Sequence, residues 1–160
     1  MAGLAPHDLS QCRCGPSLNT AGIRIPAPGF KLYAQCHVMA MPESNEQYGQ
    51  FFFRGNGKAS GTLRIEVSPA DGSLGANFFE KSTASDSTDG IHLRFENPSR
   101  VVATTGAPRL RAPKYCLEAD VIIKFKEVLS TVDGGTDYYG DFARDYRISR
   151  IGKFRICKDA

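Results

Sequence analysis

The sequence predicts an all-β protein, and two long alternations and the punctuation between them carry that prediction. From Phe30 every second residue is apolar (Phe30, Leu32, Ala34, Cys36, Val38, Ala40), and the rule repeats through Tyr115, Leu117, Ala119, Val121, Ile123 and Phe125. A period of two places alternate side chains on one sheet face, so each run reads as a long strand with one side on a core. Between them, short apolar runs are separated by Gly, Pro and Asn/Asp turns, a pattern of sandwiches and barrels. The expected architecture is a single-domain antiparallel β-sandwich of the jelly-roll kind. A small β-barrel of the oligonucleotide/oligosaccharide type is the alternative.

The elements follow in order. Residues 1–21 have no periodicity and contain Pro6, Gly15 and Pro16, so they read as an N-terminal arm, and residues 22–160 as the β-domain. Pro26, Pro28 and Gly29 precede the first long strand. Phe51-Phe52-Phe53 and Leu63 to Val67 flank Arg54-Gly55-Asn56-Gly57-Lys58, and Asn-Gly between apolar runs predicts a hairpin. A three-residue loop there buries Phe51 and Phe53; a two-residue loop buries Phe52. Two phenylalanines outweigh one, so the three-residue loop is expected. Asn77 to Phe79 is a short strand, and Ser82 to Gly90 a polar loop. Ile91, Leu93 and Phe95 alternate with His92, Arg94 and Glu96. Asn97-Pro98 ends that strand, Arg100 to Thr104 reads as another, and Tyr146 to Cys157 as the last.

At 160 residues with 41% hydrophobic and 23% charged residues, the chain has the length of one self-sufficient domain. The net charge of +3 does not by itself imply a nucleic-acid partner. No apolar run approaches the roughly 18 residues that span a bilayer, and no secretory signal is recognisable. The localisation expected is therefore open between cytoplasm, virion and a mature secreted form. Five cysteines leave at least one unpaired within the chain. Cys36 shares the apolar parity of its strand and is expected buried and reduced. Cys116 and Cys157 can bridge only if their strands are neighbours, and reduced thiols throughout is the expectation.

Chemistry-bearing residues are few. His37, Met39 and Met41 share a face and suit a soft ion such as Cu(I), but residues two apart stand about 7 Å from each other. Methionines filling a packed face are the simpler account, so no metal or other cofactor is assigned. There is no G-x-S-x-G, no phosphate loop and no paired histidines, which argues against an enzyme. Asp137, Tyr138, Tyr139 and Asp141 gather aromatics and carboxylates in one polar loop, the best candidate for a sugar or protein ligand. Arg144, Arg147, Arg150, Lys153, Arg155 and Lys158 crowd the last strand. Tyr146 and Phe154 share the parity of Ile148 and Ile156, so the cations read as a charged outward face rather than a nucleic-acid track.

The function expected first is a non-enzymatic, self-associating structural protein, such as a capsid or decoration component of a particle. A secreted or surface module binding carbohydrate or a host protein comes second, and copper binding third.

Overall fold

The computed structural model describes residues 12–14, 18, 24–40, 47–81, 90–111, 115–132 and 140–158, less the side chains at 37–40, 47–48 and 132. The described chain forms eight strands and one helix: β1 (Cys12–Cys14), β2 (Lys31–Ala40), β3 (Gln47–Val67), β4 (Leu74–Glu80), β5 (His92–Arg94), α1 (Pro98–Thr105), β6 (Cys116–Val132), β7 (Gly140–Arg150) and β8 (Arg155–Ile156). All strands belong to one mixed sheet in the order β1-β2-β3-β4-β5-β7-β6-β8, with β3 also pairing β6. The all-β class is thus as the alternations require. No helix among the described residues is long and apolar enough to cross a membrane.

β3 corrects the hairpin expected at Gly55-Asn56-Gly57. It runs without a turn for 21 residues. Its odd-numbered Phe51, Phe53, Ala59, Leu63 and Ile65 are buried. Gly55 and Gly61 are packing residues of this strand. A Cβ on Gly55 would meet the Phe30 ring at 2.7 Å, and one on Gly61 would meet Phe78 Cζ at 2.8 Å. Glycine within a strand marks such a close approach as readily as a turn.

The chain divides into two compact units, Met1–Gly57 with Lys126–Asp145, and Lys58–Phe125 with Tyr146–Ala160. In the first, β1 pairs β2, and β2 pairs β3 through Lys31↔Arg54 to Ala40↔Gln47, with register shifts at Leu32/Ala34 and Cys36/Met39. Ala34, Cys36, Phe52, Leu129 and Phe142 form a buried cluster with Tyr33 and Cys12 against it. Phe52 is therefore buried as well as Phe51 and Phe53. β1 lies inside what the sequence reads as a strandless arm, and Cys12 is bonded to Cys36 across the β1–β2 register. Cys36 is buried as expected, at 2% exposure, but not reduced.

In the second unit β3 pairs β4 from Gly61↔Glu80 to Val67↔Leu74, and β4 pairs β5 from Asn77↔Arg94 to Phe79↔His92. Leu63, Phe78, Leu93, Val101, Ala119, Val121 and Ile123 are completely buried, and Phe95 packs on Tyr146. The parity of β6 holds from Leu117 to Phe125, while Tyr115, just before the strand, is 36% exposed. Residues 100–104 form no strand; they lie in α1. Asn97 caps it by accepting from the Arg100 N–H at 3.2 Å, Pro98 opens it, and Gly106 closes it in the left-handed region at φ 70°. The expected last strand is two, because the chain leaves the ladder after Arg150 and returns at Arg155. Ile156 is consequently 50% exposed rather than core-facing. β8 pairs the start of β6 through Leu117↔Ile156, which brings Cys157 to Cys116, and the two are bonded. Reduced thiols throughout is overturned: Cys14 is the one free cysteine among the described residues, and it is exposed.

Candidate functional site

The pleat of β3, β4 and β5 sorts their side chains into two sets. Leu63, Ile65, Ala76, Phe78 and Leu93 point into the core. Their neighbours Thr62, Arg64, Asn77, Phe79, His92 and Arg94 lie on the outward face. Registry arranges this face in rows. Thr62 is opposite Phe79, and Phe79 opposite His92; in the next row Arg64 is opposite Asn77, and Asn77 opposite Arg94.

Phe79 and His92 stack, with ring centroids 4.4 Å apart and planes 22° from parallel. His92 Nε2 lies 3.1 Å from Asn77 Oδ1, which fixes the imidazole over the ring. Phe79 keeps 40% of its surface exposed. The Arg64 row continues beyond β3. The Arg64 guanidinium sits 3.4 Å from Glu66 and 4.0 Å from Glu118, and Arg155 binds Glu118 and Asp120, each at 3.2 Å. Arg94 closes the row at the other end and forms no ion pair among the described residues.

Arg64 also borders a cleft of about 570 Å³, lined further by Glu66, Ser68, Ser73, Leu74 and Tyr115. Its rim is built by the turn between β3 and β4. The Ser68 N–H donates to the Ser73 carbonyl at 2.9 Å, the Gly72 N–H donates to the Ser68 carbonyl at 2.8 Å, and Gly72 takes φ 73°. Asp71 accepts from the Ser73 N–H at 2.9 Å, and these bonds to Ser73 and Ser68 hold its carboxyl below the usual range. Face and cleft therefore form one surface joined at Arg64, held on hydrogen-bonded backbone.

A second polar cluster belongs to the first unit. Glu127 accepts from the Tyr33 hydroxyl and lies 3.4 Å from Arg144 and 3.8 Å from Arg54. The Arg54 guanidinium covers the Tyr33 ring at 3.7 Å. Burial first, then the hydrogen bond and charge of Glu127, push the Tyr33 hydroxyl up to about 12, against the two arginines. The neutral phenol is the favoured form, so its contribution to stability is complete below the ordinary value of 10.0 and lost as pH rises through about 12. Each charge here has its partner within the cluster, which caps the apolar group around Phe52 and offers a ligand little.

The residues singled out in the sequence fare differently. Asp141 is 9% exposed and its carboxylate is consumed by Ser130 at 2.5 Å and Arg24 at 2.6 Å, a structural arrangement. Asp137, Tyr138 and Tyr139 lie outside the described residues, as do Met41 and the side chains of His37 and Met39. Among the described residues no three His, Cys, Asp or Glu side chains gather as a metal site. Of the cations at the end of the chain, Arg144 and Arg155 are tied to carboxylates, and Arg150 lies 5.4 Å from the Phe154 ring. The Phe79 platform went unread in the sequence, where His92 passes as part of a solvated face. The available signal was the doublet Phe78-Phe79: adjacent strand residues face opposite sides, so one phenylalanine has to point outward.

No protein-family model matches the chain, and no curated protein or solved structure resembles it closely enough to count as a match.

Proposed function

We propose that the protein is a non-enzymatic binding module whose ligand lies on the outward face of β3, β4 and β5. The observation that carries this reading is the exposed Phe79–His92 stack, bordered by Asn77, Arg64 and Arg94. An exposed aromatic ring beside oriented polar groups is the surface chemistry that ligand sites use. The sheet order supports the same site. Within the second unit β3, β4, β5, β7 and β6 run in sequence and return to β3, with α1 between β5 and β6. That cycle favours a small closed barrel over two packed sheets. Barrels of the oligonucleotide/oligosaccharide-binding type use the face of their second and third strands, here β4 and β5.

The disulfides Cys12–Cys36 and Cys116–Cys157 support an oxidising compartment or a particle surface as the setting of the folded module, since such bonds rarely persist in cytosol. The test is a panel of immobilised oligosaccharides, single-stranded oligonucleotides and peptides, probed with the wild type and Phe79→Ala. Ligands retained by the wild type should be lost from Phe79→Ala while its melting curve is unchanged. Retention by both proteins alike would remove the site from this face.

Self-association is a second reading with its own observation. Ile151 and Ile156 are 62% and 50% exposed, beside the short strand β8 at one end of the sheet order. Light scattering on the eluting species decides it: a stable oligomer dispersed by Ile156→Lys supports assembly, and a monomer refutes it.

A further inference from the structure

We infer that the ligand of this face is a carboxylated oligosaccharide, such as a uronate-bearing glycan, which lies along the platform and enters the cleft beyond Arg64. The inference rests on the binding-face reading above and names the ligand class. Three observations carry it.

The first is the distribution of charge. A single-stranded nucleic acid brings a phosphate with every nucleotide and calls for a track of cations. Here Arg64 and Arg155 are already neutralised by Glu66, Glu118 and Asp120, whose carboxylates would repel a phosphate chain. Of the three arginines along this surface, Arg94 is the one that forms no ion pair among the described residues, which suits a ligand whose charges are sparse. The second is the chemistry between the charges. Carboxylates, Asn77 and the Ser68 and Ser73 hydroxyls offer acceptors and donors for sugar hydroxyls. The Phe79 ring, backed by His92, offers an apolar plane for a sugar's C–H face. The third is extent. From Phe79 to Gly75 the strand covers roughly 13 Å, and Tyr115 presents a second half-exposed ring across the cleft that Gly75 helps to line. Two rings separated by a polar groove fit a chain of sugars rather than a single one. The oxidising setting implied by two disulfides is also where acidic glycans are displayed.

In this arrangement Arg94 takes the ligand carboxylate, Phe79 stacks on the adjoining ring, and Glu66 accepts from hydroxyls in the cleft. The experiment is calorimetric titration with a xylo-oligosaccharide bearing a single glucuronate, its neutral methyl ester and an oligothymidylate of the same length. Wild type, Arg94→Gln, Phe79→Ala and Glu66→Gln are compared after thermal melts have shown each to be folded. Wild type should prefer the uronate to its ester by about tenfold, equivalent to about 1.4 kcal/mol. Arg94→Gln should erase that preference, and Phe79→Ala should weaken both sugars by a similar factor. Glu66→Gln should weaken both without changing their ratio. Equal binding of acid and ester by the wild type overturns the inference. Tighter binding of the oligothymidylate, lost in Phe79→Ala, also overturns it but leaves the binding face standing. Binding of no probe, or binding indifferent to Phe79→Ala, removes both.

Discussion

At Gly61 the two strands β3 and β4 approach so closely that a single methyl group decides the packing. Its Cβ would run first into the Phe79 carbonyl oxygen, then into Phe78 Cζ at 2.8 Å and Glu80 Cα at 2.9 Å. One neighbour is a completely buried ring and the other two are backbone, so none yields easily. Gly61→Ala should therefore cost about 1–3 kcal/mol, the range for overpacking. Gly75→Ala, on the same pair of strands, meets nothing within 4 Å and should stay within about 0.5 kcal/mol. Denaturant melts of the two variants give the comparison, and equal losses would contradict the tight approach at Gly61. Glycines also explain why the sequence of β3 reads as a hairpin. Gly55, Asn56 and Gly57 carry turn chemistry, and local chemistry alone favours a hairpin. The odd-numbered parity running from Phe51 through Ala59 to Ile65 was the competing signal, and long-range packing against Phe30 and Phe78 makes it prevail.

The strands most legible in the sequence are those with one wet face and one dry face. β6 shows its alternation because Ala119, Val121, Ile123 and Phe125 meet a core while Asp120, Lys124 and Lys126 meet water. Segments with both faces covered, such as the middle of β3 in the first unit, lose that contrast. α1 was hidden for another reason. Val101, Val102, Thr104 and Thr105 are β-branched and argue for a strand by propensity. Its ends argue otherwise: Asn97-Pro98 is a helix start and Gly106 a helix stop. Inside, the threonine hydroxyls return to the Arg100 and Val101 carbonyls at 2.6 and 2.7 Å, and Val101 is fully buried. Capping then matters more than in a helix of good formers, since eight residues are too few to be stable alone. Asn97→Ala should cost about 1 kcal/mol, and Asn97→Asp should recover most of it. A chemical melt in which Asn97→Ala matches the wild type would mean that burial of Val101 alone holds α1.

For the whole molecule, the pairings between distant segments are what the sequence conceals most. Parity located Cys36 on a buried face, but its partner depends on the register between β1 and β2, which no local pattern encodes. Likewise Phe79, His92 and Arg94 come onto one surface only when β4 and β5 align. The disulfides give this long-range order a direct test. Cys116–Cys157 closes a separation of 41 residues and Cys12–Cys36 one of 24. In the chain-entropy account these restrict the unfolded state by about 4 and about 3.5 kcal/mol. Both are of the order of a domain's whole net stability. The chain unfolded without reductant should expose one thiol, that of Cys14, and after reduction all five. Cys116→Ala/Cys157→Ala should melt at a markedly lower denaturant concentration than the wild type, and Cys12→Ala/Cys36→Ala by a somewhat smaller margin. Cys14→Ala should melt like the wild type, because its thiol is exposed and unbonded. More than one thiol in the unreduced chain would mean that a bridge is absent, and with it the argument for an oxidising compartment. Destabilisation by Cys14→Ala equal to that of either double variant would show that the lost side chain, not the lost bridge, sets the cost.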